Sequence, residues 1–405
     1  MKVALLTREF PPEVYGGAGV HVDALATALA PFVEVAVHCF GQPRSSPLVA
    51  ASYEAWPALA ELAGDDPLGR ALGVLSVDLA MVAGLGDADL CHSHTWYANM
   101  AGHLAKLGRG MPHVATTHSL EPLRPWKAEQ LRGGYALSSW CERTALESAD
   151  AVIAVSRAMA ADVLACYPAV DPARVEVIYN GVDTASWRRD DGTDVLERAG
   201  LDPERPLVVF VGRVTRQKGL AYLLEAAPAI DGRAQLAILA GAADTPELAA
   251  EIHGLADAAR RRTGGLCWID EMLPRRDVAQ ILSHATCFVC PSIYEPFGLV
   301  NVEAMACGTA VVASAVGGIP EIVVDGETGL LVPVELDDTP ERAPVAPLGL
   351  SRALADAVNS LVDDPARARA MGDAGRARVE ETFSWTAVAE RTAACYERVG
   401  AAGPR

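Results

Sequence analysis

The sequence predicts an α/β protein in which two Rossmann-like domains face each other across a cleft and a C-terminal helix follows. Short apolar, β-branched runs alternate with helical stretches along the chain, a rhythm typical of parallel sheets covered by helices. A length of 405 residues exceeds one ordinary core and favours two domains. A charged, proline-rich stretch in the middle of the chain separates the two series.

The first series predicts an N-terminal domain over residues 1–183. Its strands are predicted from apolar runs at residues 3–7, 33–39, 114–117, 152–155 and 175–179. Residues 184–206 are rich in charge and contain two prolines, which predicts a linker region.

The second series predicts a C-terminal domain over residues 207–384. Its strands are predicted at residues 207–211, 236–240, 286–290, 310–313 and 329–332. Two helices are predicted from the apolar spacing over residues 351–361 and 365–382. Residues 385–405 are predicted to form the terminal helix, which can cross back to the N-terminal domain.

Composition narrows the possible partners and the compartment. A net charge of −18 opposes binding to nucleic acid and to anionic membranes, so local Arg or Lys must hold any phosphate. No apolar run reaches membrane-spanning length, and Arg8 and Glu9 interrupt the start of a signal peptide, which predicts a cytoplasmic protein. The nine cysteines lie mostly in apolar strings and are predicted to be reduced core residues.

Two carboxylates, Glu295 and Glu303, flank a predicted strand-to-helix corner. An apolar run predicts a buried strand that ends at Cys290, and a helix follows. That helix starts with the backbone N–H groups of Phe297, Gly298 and Leu299. N–H groups at a helix start attract anionic oxygens, and carboxylates accept hydrogen bonds from sugar hydroxyls. The corner therefore suits a nucleotide sugar, with two solvated glutamates beside a turn as the alternative.

The first predicted strand ends in a glycine-rich loop that contains Gly16 and Gly17. Glycine lets the backbone approach a diphosphate closely. The spacing matches neither the dinucleotide fingerprint nor a P-loop. A tight turn that needs positive φ remains the alternative to ligand binding.

Three cations, Arg213, Arg216 and Lys218, follow the strand that ends at Val211 and precede a predicted helix. Positive charge at a helix start opposes the helix dipole, and an anionic ligand removes that conflict. The cluster therefore predicts a diphosphate-binding loop, and a solvated basic loop is the alternative.

Histidines lie at predicted strand ends of the N-terminal domain. His92 and His94 share one face of a strand, and His118 follows another strand. Since no acidic residue neighbours the first pair at ligand spacing, we predict histidines held by hydrogen bonds rather than a metal site. Beyond His118, Arg124 and Lys127 can hold a phosphate, or can be solvated charges on a loop.

Taken in this order, the motifs resemble those of the retaining glycosyltransferases of the GT-B fold. The resemblance covers nearly the whole chain and is most specific to the actinobacterial glycogen synthase and α-maltose-1-phosphate synthase group. It is carried by residues 7–21 (Thr-Arg-Glu-Phe-Pro-Pro-Glu-Val-Tyr-Gly-Gly-Ala-Gly-Val-His), 94–96 (His-Thr-Trp), 118–127 (His-Ser-Leu-Glu-Pro-Leu-Arg-Pro-Trp-Lys) and 212–219 (Gly-Arg-Val-Thr-Arg-Gln-Lys-Gly).

This resemblance implies ADP-glucose as the donor. Arg213 and Lys218 would contact its diphosphate, Glu295 its glucose hydroxyls and Glu303 its ribose. The remaining donor contacts would come from Gly16, Gly17, Phe297, Gly298 and Leu299.

The resemblance also implies how the reaction proceeds. His118 would lie beside the transferred glucose, and with Arg213, Lys218 and Glu295 it completes the expected catalytic residues. Configuration would be retained by a front-face attack in which the leaving phosphate helps to remove the acceptor's proton. The two cations would stabilise the charge that grows on ADP. No cofactor and no metal are expected.

One departure bears on the acceptor. Classical starch and glycogen synthases carry a Lys-Thr-Gly-Gly loop, whereas Val14 and Tyr15 precede the glycines here. This weakens the expectation of a processive glucan synthase but does not by itself identify the acceptor. The resemblance implies α-glucose 1-phosphate as acceptor, whose phosphate Arg124 and Lys127 could hold. The expected acceptor contacts are Glu13, Tyr15, Trp96, Arg124 and Lys127.

The favoured product is therefore α-maltose 1-phosphate, which would supply α-glucan synthesis. Elongation of an α-1,4-glucan from ADP-glucose is the nearest alternative. A nucleotide-sugar epimerase or a non-catalytic sensor of nucleotide sugars is the alternative from another class. A homodimer is a further expectation.

Overall fold

A computed structural model describes residues 1–14, 16–57, 67–125, 133–261, 265–339 and 342–402. These residues form two compact units. Unit 1 contains Met1–Gly181 together with Trp385–Arg405, and unit 2 contains Val182–Ser384.

The core of unit 1 is a parallel sheet. Its described strands are β1 to β7: Lys2–Thr7, Glu34–Phe40, Val49–Tyr53, Leu90–His94, His113–Thr117, Ala151–Ala154 and Val175–Val177. They lie in the order β3-β2-β1-β4-β5-β6-β7. Strands β4 and β5 are buried along their whole length, as expected when helices cover both faces of a parallel sheet.

Helices separate these strands in the chain. The helices of unit 1 are α1 to α5, which comprise Gly17–Leu29, Pro67–Gly84, Trp96–Arg109, Gly133–Ser148 and Arg157–Cys166, and the C-terminal helix Trp385–Ala402. The C-terminal helix buries Val388 and Tyr396 in one apolar core with Val22 and Leu25 of α1. It therefore packs in unit 1, although it follows unit 2 in sequence.

Unit 2 has a second parallel sheet. Its described strands are β8 to β13: Leu207–Val211, Gln235–Leu239, Leu266–Ile269, Cys287–Cys290, Val311–Ser314 and Gly329–Val332. The order β10-β9-β8-β11-β12-β13 is the Rossmann order, in which the first strand lies in the middle. Its helices α6 to α13 are Asp194–Arg198, Leu220–Ala226, Pro246–Arg260, Arg275–Ser283, Leu299–Ala306, Ile319–Ile322, Pro347–Val362 and Pro365–Thr382.

Residues 184–206, where the composition predicts a linker, lie in unit 2. They include helix α6, which packs its Val195 and Leu196 in the interior. The side-chain oxygen of Gln280, on α9, accepts a hydrogen bond from Val195 N at 2.7 Å. The polar composition of this segment therefore reflects its outer face.

The cysteines are core residues, as predicted. All nine are free thiols and seven of them are buried. Cys287 and Cys290 lie in the buried strand β11. None of the helices among the described residues combines the length and the apolar character that a membrane crossing requires.

Candidate active site

The strand order of each unit indicates where along its sheet a ligand can bind. In unit 1 strand β1 lies between β2 and β4, and in unit 2 strand β8 lies between β9 and β11. At such a position the chain connections that follow two neighbouring strands run in opposite directions. Ligands of open parallel sheets bind there, beyond the carboxyl ends of the strands. The candidate sites are therefore the loops after β1, β4 and β5, and those after β8 and β11.

An ion pair joins the two loops in unit 2. Lys218 Nζ lies 2.6 Å from Glu295 Oε2, and the two side chains are only 19% and 7% exposed. Ser292 Oγ donates to the same carboxylate oxygen at 3.1 Å. Burial opposes the charge on Lys218, but the charge of Glu295 and its hydrogen bond outweigh burial and raise the pKa of Lys218. Lys218 is therefore a fixed positive charge at neutral pH.

Two glycines allow the backbones of these loops to approach. Gly219 has φ of 64°, and a Cβ there would lie 1.9 Å from the carbonyl oxygen of Pro291. Gly317 has φ of 53°, and a Cβ there would lie 2.1 Å from the carbonyl oxygen of Glu295. Any larger residue at either position would displace the loop that carries Glu295.

The other two cations of the loop after β8 face different carboxylates. Arg213 Nη1 lies 3.7 Å from Asp244 Oδ1, and its side chain is 34% exposed. Arg216 Nη1 lies 3.4 Å from Glu251 Oε2 on the outer surface of α8. Lys218 alone of the three forms an ion pair with Glu295.

Glu303 lies in the second turn of α10 and is partly buried. Burial raises the pKa of its carboxyl to about 7, although the charges of Arg275 and Lys218 act to lower it. The carboxyl therefore titrates near neutral pH before any ligand arrives. The hydroxyl groups of a ribose can hydrogen-bond to the Glu303 carboxyl in either of its protonation states.

The start of α10 serves the core as well as any ligand. The Phe297 ring is buried and packs edge to face on Phe383, with ring centroids 5.8 Å apart. Gly298 caps the helix at φ of 109°, and the helix begins at Leu299. Phe297 can therefore contact a donor only through its backbone. The donor contacts of Phe297, Gly298 and Leu299 remain predictions.

In unit 1 a carboxylate already occupies the glycine-rich loop. Gly16 N donates to Glu9 Oε2 at 2.7 Å. A Cβ on Gly19 would lie 2.8 Å from Glu9 Cβ, so glycine is needed for this close approach. Gly17 is exposed and begins α1. The backbone amide of Gly16, which is predicted to contact a diphosphate, thus donates to the carboxylate of Glu9.

The ends of β4 and β5 meet α1 in a group of histidines. His94 Nδ1 lies 3.1 Å from His118 Nε2, and the two rings are stacked with centroids 5.4 Å apart. The ring of His21, on α1, meets His118 edge-on at 4.7 Å. Burial, followed by the influence of His21 and His92, lowers the pKa of His118 well below its usual range. The imidazoles are therefore neutral at physiological pH.

The prediction of hydrogen-bonded histidines holds fully for His92. Its Nδ1 lies 2.6 Å from Tyr396 Oη, and its Nε2 lies 2.7 Å from Thr116 Oγ1. His94 is different, since its buried Nε2 has no hydrogen-bond partner in the structure. One nitrogen of His94 is thus satisfied and the other is not.

Backbone strain follows His94 directly. Thr95 has φ of 64° and ψ of 162°, a region that β-branched residues rarely adopt. Such strain costs on the order of 1–3 kcal/mol and persists only where the surroundings impose it. Because Thr95 turns the chain from β4 into α3, its conformation fixes the direction in which His94 ends the strand.

Arg124 is held by a network of buried groups. Its Nη1 donates to Ser119 Oγ at 2.9 Å and lies 3.5 Å from Glu121 Oε1. Ser138 Oγ donates to the other oxygen of Glu121 at 2.7 Å. Glu142 Oε1 accepts the backbone N–H of Glu121 at 2.8 Å. Among the described residues, the buried Nε of Arg124 has no hydrogen-bond partner.

Two acidic side chains therefore lie close together beneath Arg124. Burial, and then the charge of Glu121, raise the pKa of Glu142 to about 8. Tyr167 Oη also donates a short hydrogen bond to Glu142. The Glu142 carboxyl is therefore held largely protonated at neutral pH.

The other predicted acceptor residues are placed differently. Glu13 is 60% exposed and forms an ion pair with Arg44, with Nη2 and Oε2 2.7 Å apart. Trp96 is a core residue: it is buried with Met100 and stacks on Tyr97 at 4.2 Å. The expectation that the Trp96 ring contacts the acceptor is therefore not supported by its burial. Tyr15 and Lys127 lie outside the described residues.

Comparison with known proteins places this chain in a family. The model for Glycosyltransferase Family 4 matches residues 15–186, and that for Glycosyl transferases group 1 matches residues 193–378. The α-maltose-1-phosphate synthase of Mycolicibacterium smegmatis is 53% identical over 408 residues, which cover 99% of this chain and 100% of the relative. The chain belongs to the GT-B glycosyltransferases. The resemblance to the α-maltose-1-phosphate synthase group is thereby confirmed.

Two further relatives support this assignment. The α-maltose-1-phosphate synthase of Mycobacterium tuberculosis is 51% identical over 403 residues, or 98% of this chain and 100% of the relative. The structure of sucrose-phosphate synthase from Thermosynechococcus elongatus has a TM-score of 0.78 at 27% identity, over 99% of this chain and 100% of that chain. The predicted class of two Rossmann-like α/β domains is confirmed for this glycosyltransferase.

Several residues of the sites escape prediction from the sequence. Glu9, His21 and Ser292 have no ligand motif of their own, and each becomes visible only through its partner in space. For His21 a signal existed, since it lies one helical turn beyond the glycines of the loop after β1. Asp244 gave no signal, because its partner Arg213 is 31 positions away in sequence.

Proposed function

We propose that this glycosyltransferase moves glucose from ADP-glucose to α-glucose 1-phosphate, with retention of configuration, to give α-maltose 1-phosphate for α-glucan synthesis. The observation that carries the proposal is the 53% identity to an α-maltose-1-phosphate synthase over nearly the whole length of both chains. The contacts within each unit support the roles of individual residues.

The loops of unit 2 suit the donor. Lys218 and Glu295 form an ion pair at 2.6 Å. When the donor binds, Lys218 exchanges this carboxylate for a phosphate oxygen, and Glu295 accepts hydrogen bonds from glucose hydroxyls. Each buried group keeps a partner during this exchange, so neither pays the full penalty of an unpaired charge.

Arg213 completes the positive charge near the diphosphate. Its side chain is 34% exposed, and its contact with Asp244 is 3.7 Å long, so a phosphate can compete for the guanidinium. As the bond between glucose and ADP breaks, negative charge grows on the leaving phosphate. Arg213 and Lys218 stabilise that charge, and Glu303 holds the ribose.

Arg124 suits the acceptor's phosphate. Its guanidinium is fixed by Ser119 and Glu121, and its Nε lacks a partner among the residues that the structure describes. A guanidinium binds phosphate with two parallel hydrogen bonds, whereas the neutral end of a glucan needs no such group. We assign Lys127 to the same phosphate, and His118 to the transferred glucose.

The proposed reaction needs no metal and no cofactor. The leaving phosphate accepts the proton of the acceptor's attacking hydroxyl on the same face of the sugar, so the new bond keeps the α configuration. The proton ends on ADP. With EDTA present, we expect the rate of transfer to stay at its full value.

Separate incubations with ADP-glucose and each acceptor test the proposal. We expect α-glucose 1-phosphate to yield a disaccharide phosphate by mass and an α-anomeric proton signal by NMR. Equal or faster incorporation into glycogen would contradict the proposed acceptor. UDP-glucose in place of ADP-glucose tests the donor, and we expect a slower reaction.

Incubation with ADP-glucose alone tests the other classes of function. An epimerase would produce a second nucleotide sugar without any acceptor, and a sensor would bind the donor without turnover. We expect neither a new nucleotide sugar nor a product until the acceptor is added. A homodimer and a cytoplasmic location remain predictions.

A further inference from the structure

Three histidines of unit 1 present nitrogens to a common point. One imidazole nitrogen from each of His21, His94 and His118 lies within 4.8 Å of the other two. The nitrogens of His94 and His118 are 3.1 Å apart. Two nitrogens bound to one tetrahedral Zn²⁺ at their usual bond length lie about 3.3 Å apart. The spacing of this pair is therefore already that of metal ligands.

The hydrogen bonds within the group are incomplete. Among the described residues, His21 Nδ1 and His94 Nε2 are buried without a hydrogen-bond partner, although buried polar atoms are nearly always paired. His94 Nε2 is the nitrogen that faces away from His118, and His21 has a side-chain hydrogen bond with Asn180. An ion bound by His94 Nδ1 and His118 Nε2 displaces the proton of the hydrogen bond between them, and that proton moves to the other ring nitrogen or to solvent, so that both nitrogens present a lone pair. His118 is partly exposed, so the site has a side that solvent can reach.

We propose that His21, His94 and His118 bind one late first-row transition-metal ion, of which Zn²⁺ is representative, each through one imidazole nitrogen. Imidazole ligands select such ions over Mg²⁺ and Ca²⁺, which prefer oxygen. Three protein ligands leave a fourth, open position for water. The metal is a ligand of the protein and takes no part in glucose transfer.

Occupancy has a consequence for the proposed function. A bound ion holds the His118 ring, which then no longer reaches the glucose. The ion is therefore an inhibitor of transfer. This second statement rests on the proposed role of His118, whereas binding of the ion does not.

Titration of the untagged, metal-free protein with Co²⁺ tests the site, because tetrahedral Co²⁺ with nitrogen ligands shows intense visible absorption. We expect one Co²⁺ per chain and displacement by Zn²⁺. His118→Ala and His21→Ala should each weaken binding by at least about 100-fold, more than the loss typical of a residue that only supports a ligand. Thermal unfolding of both variants confirms that they are folded.

His253→Ala is the matched control, since His253 is an exposed histidine on α8 of unit 2. It should bind Co²⁺ as the unsubstituted protein does. Lack of the visible absorption in the unsubstituted protein would overturn the proposal. So would equal Co²⁺ affinity in His118→Ala.

The transfer assay separates the two statements. Zn²⁺ at a concentration that saturates the site should suppress the rate, and EDTA should restore it. If Co²⁺ and Zn²⁺ bind as expected but transfer continues at full rate, inhibition is refuted and His118 does not lie beside the glucose. The metal site would stand in that case.

Discussion

The ion pair between Lys218 and Glu295 allows the sharpest test of the site in unit 2. Lys218→Met removes the charge and keeps most of the length of the side chain. Glu295 then remains as a buried carboxylate, 7% exposed, with only Ser292 Oγ at 3.1 Å as a side-chain donor. The double variant Lys218→Met with Glu295→Gln removes both charges.

Loss of one partner of a buried ion pair costs about 3–5 kcal/mol, because the remaining charge is left uncompensated. The remaining Glu295 is 7% exposed but keeps the hydrogen bond from Ser292, so we expect a value near the lower limit, about 3 kcal/mol. The double variant leaves no buried charge and should lose less than about 1 kcal/mol. The double variant should therefore be about 2 kcal/mol more stable than Lys218→Met.

Catalysis should respond differently from stability. Removal of one preorganised charge-stabilising group lowers the rate on the order of 100-fold or more, and the double variant should recover none of it. Urea unfolding measures the stability, and initial rates of ADP release measure catalysis. Stability of Lys218→Met within about 0.5 kcal/mol of wild type would refute the buried ion pair. Activity regained in the double variant would refute the catalytic role.

Arg216→Met is the matched control for these variants. Arg216 lies two residues from Lys218, but it is 50% exposed and its partner Glu251 is 44% exposed. An exposed ion pair contributes about 0–1 kcal/mol. We therefore expect near wild-type stability and activity for this variant.

Four further predictions concern the charges of both units. Arg213→Ala should lower the rate on the order of 100-fold or more, and unchanged turnover would remove Arg213 from the diphosphate site. Lys127→Ala should raise KM for α-glucose 1-phosphate, measured at saturating ADP-glucose; a wild-type KM would contradict the phosphate site. Burial raises the pKa of Glu303 in the folded protein to about 7, above its value in the unfolded chain. The unfolding free energy of the wild type, measured by urea titration, should therefore fall relative to that of Glu303→Gln as the pH rises through 7. KM for α-glucose 1-phosphate should rise above pH 8, where the Glu142 carboxyl ionises near Arg124, and Glu142→Gln should abolish that rise in a pH series.

The sequence predicts the interior strands of both sheets better than the edges. Strands such as β8 and β11 are buried apolar runs, and the pattern finds them. The pattern misses β3 and β10, which lie at one edge of each sheet and are only partly buried. The interior strand β4 is also absent from the apolar runs, because its buried sequence Leu-Cys-His-Ser-His is partly polar. An edge strand packs fewer apolar side chains, so its sequence lacks the continuous run that marks an interior strand.

The candidate sites show the same division between local and distant information. The loop after β8 and the corner after β11 are predicted from their cations and carboxylates. The ion pair between Lys218 and Glu295 is not predicted, because the two residues are 77 positions apart and only the strand order brings them together. His21 joins His94 and His118 for the same reason, through the adjacency of β1, β4 and β5.

Some local rules fail where the sites lie. Thr95 has a positive φ that its sequence gives no reason to expect, and it follows His94 directly. Trp96 is buried in the core of unit 1, and its contact with the acceptor stays a prediction. Functional sites are where local propensity and final structure disagree most often, since the surrounding fold imposes their geometry.

A competition between acceptors in one reaction tests the central claim most directly. ADP-glucose labelled in its glucose is mixed with the enzyme, α-glucose 1-phosphate and glycogen, and the label is followed by mass spectrometry before the donor is exhausted. We predict that the label enters a disaccharide phosphate, with one ADP released for each molecule formed. Label that enters glycogen instead, with no disaccharide phosphate, would contradict the proposed function.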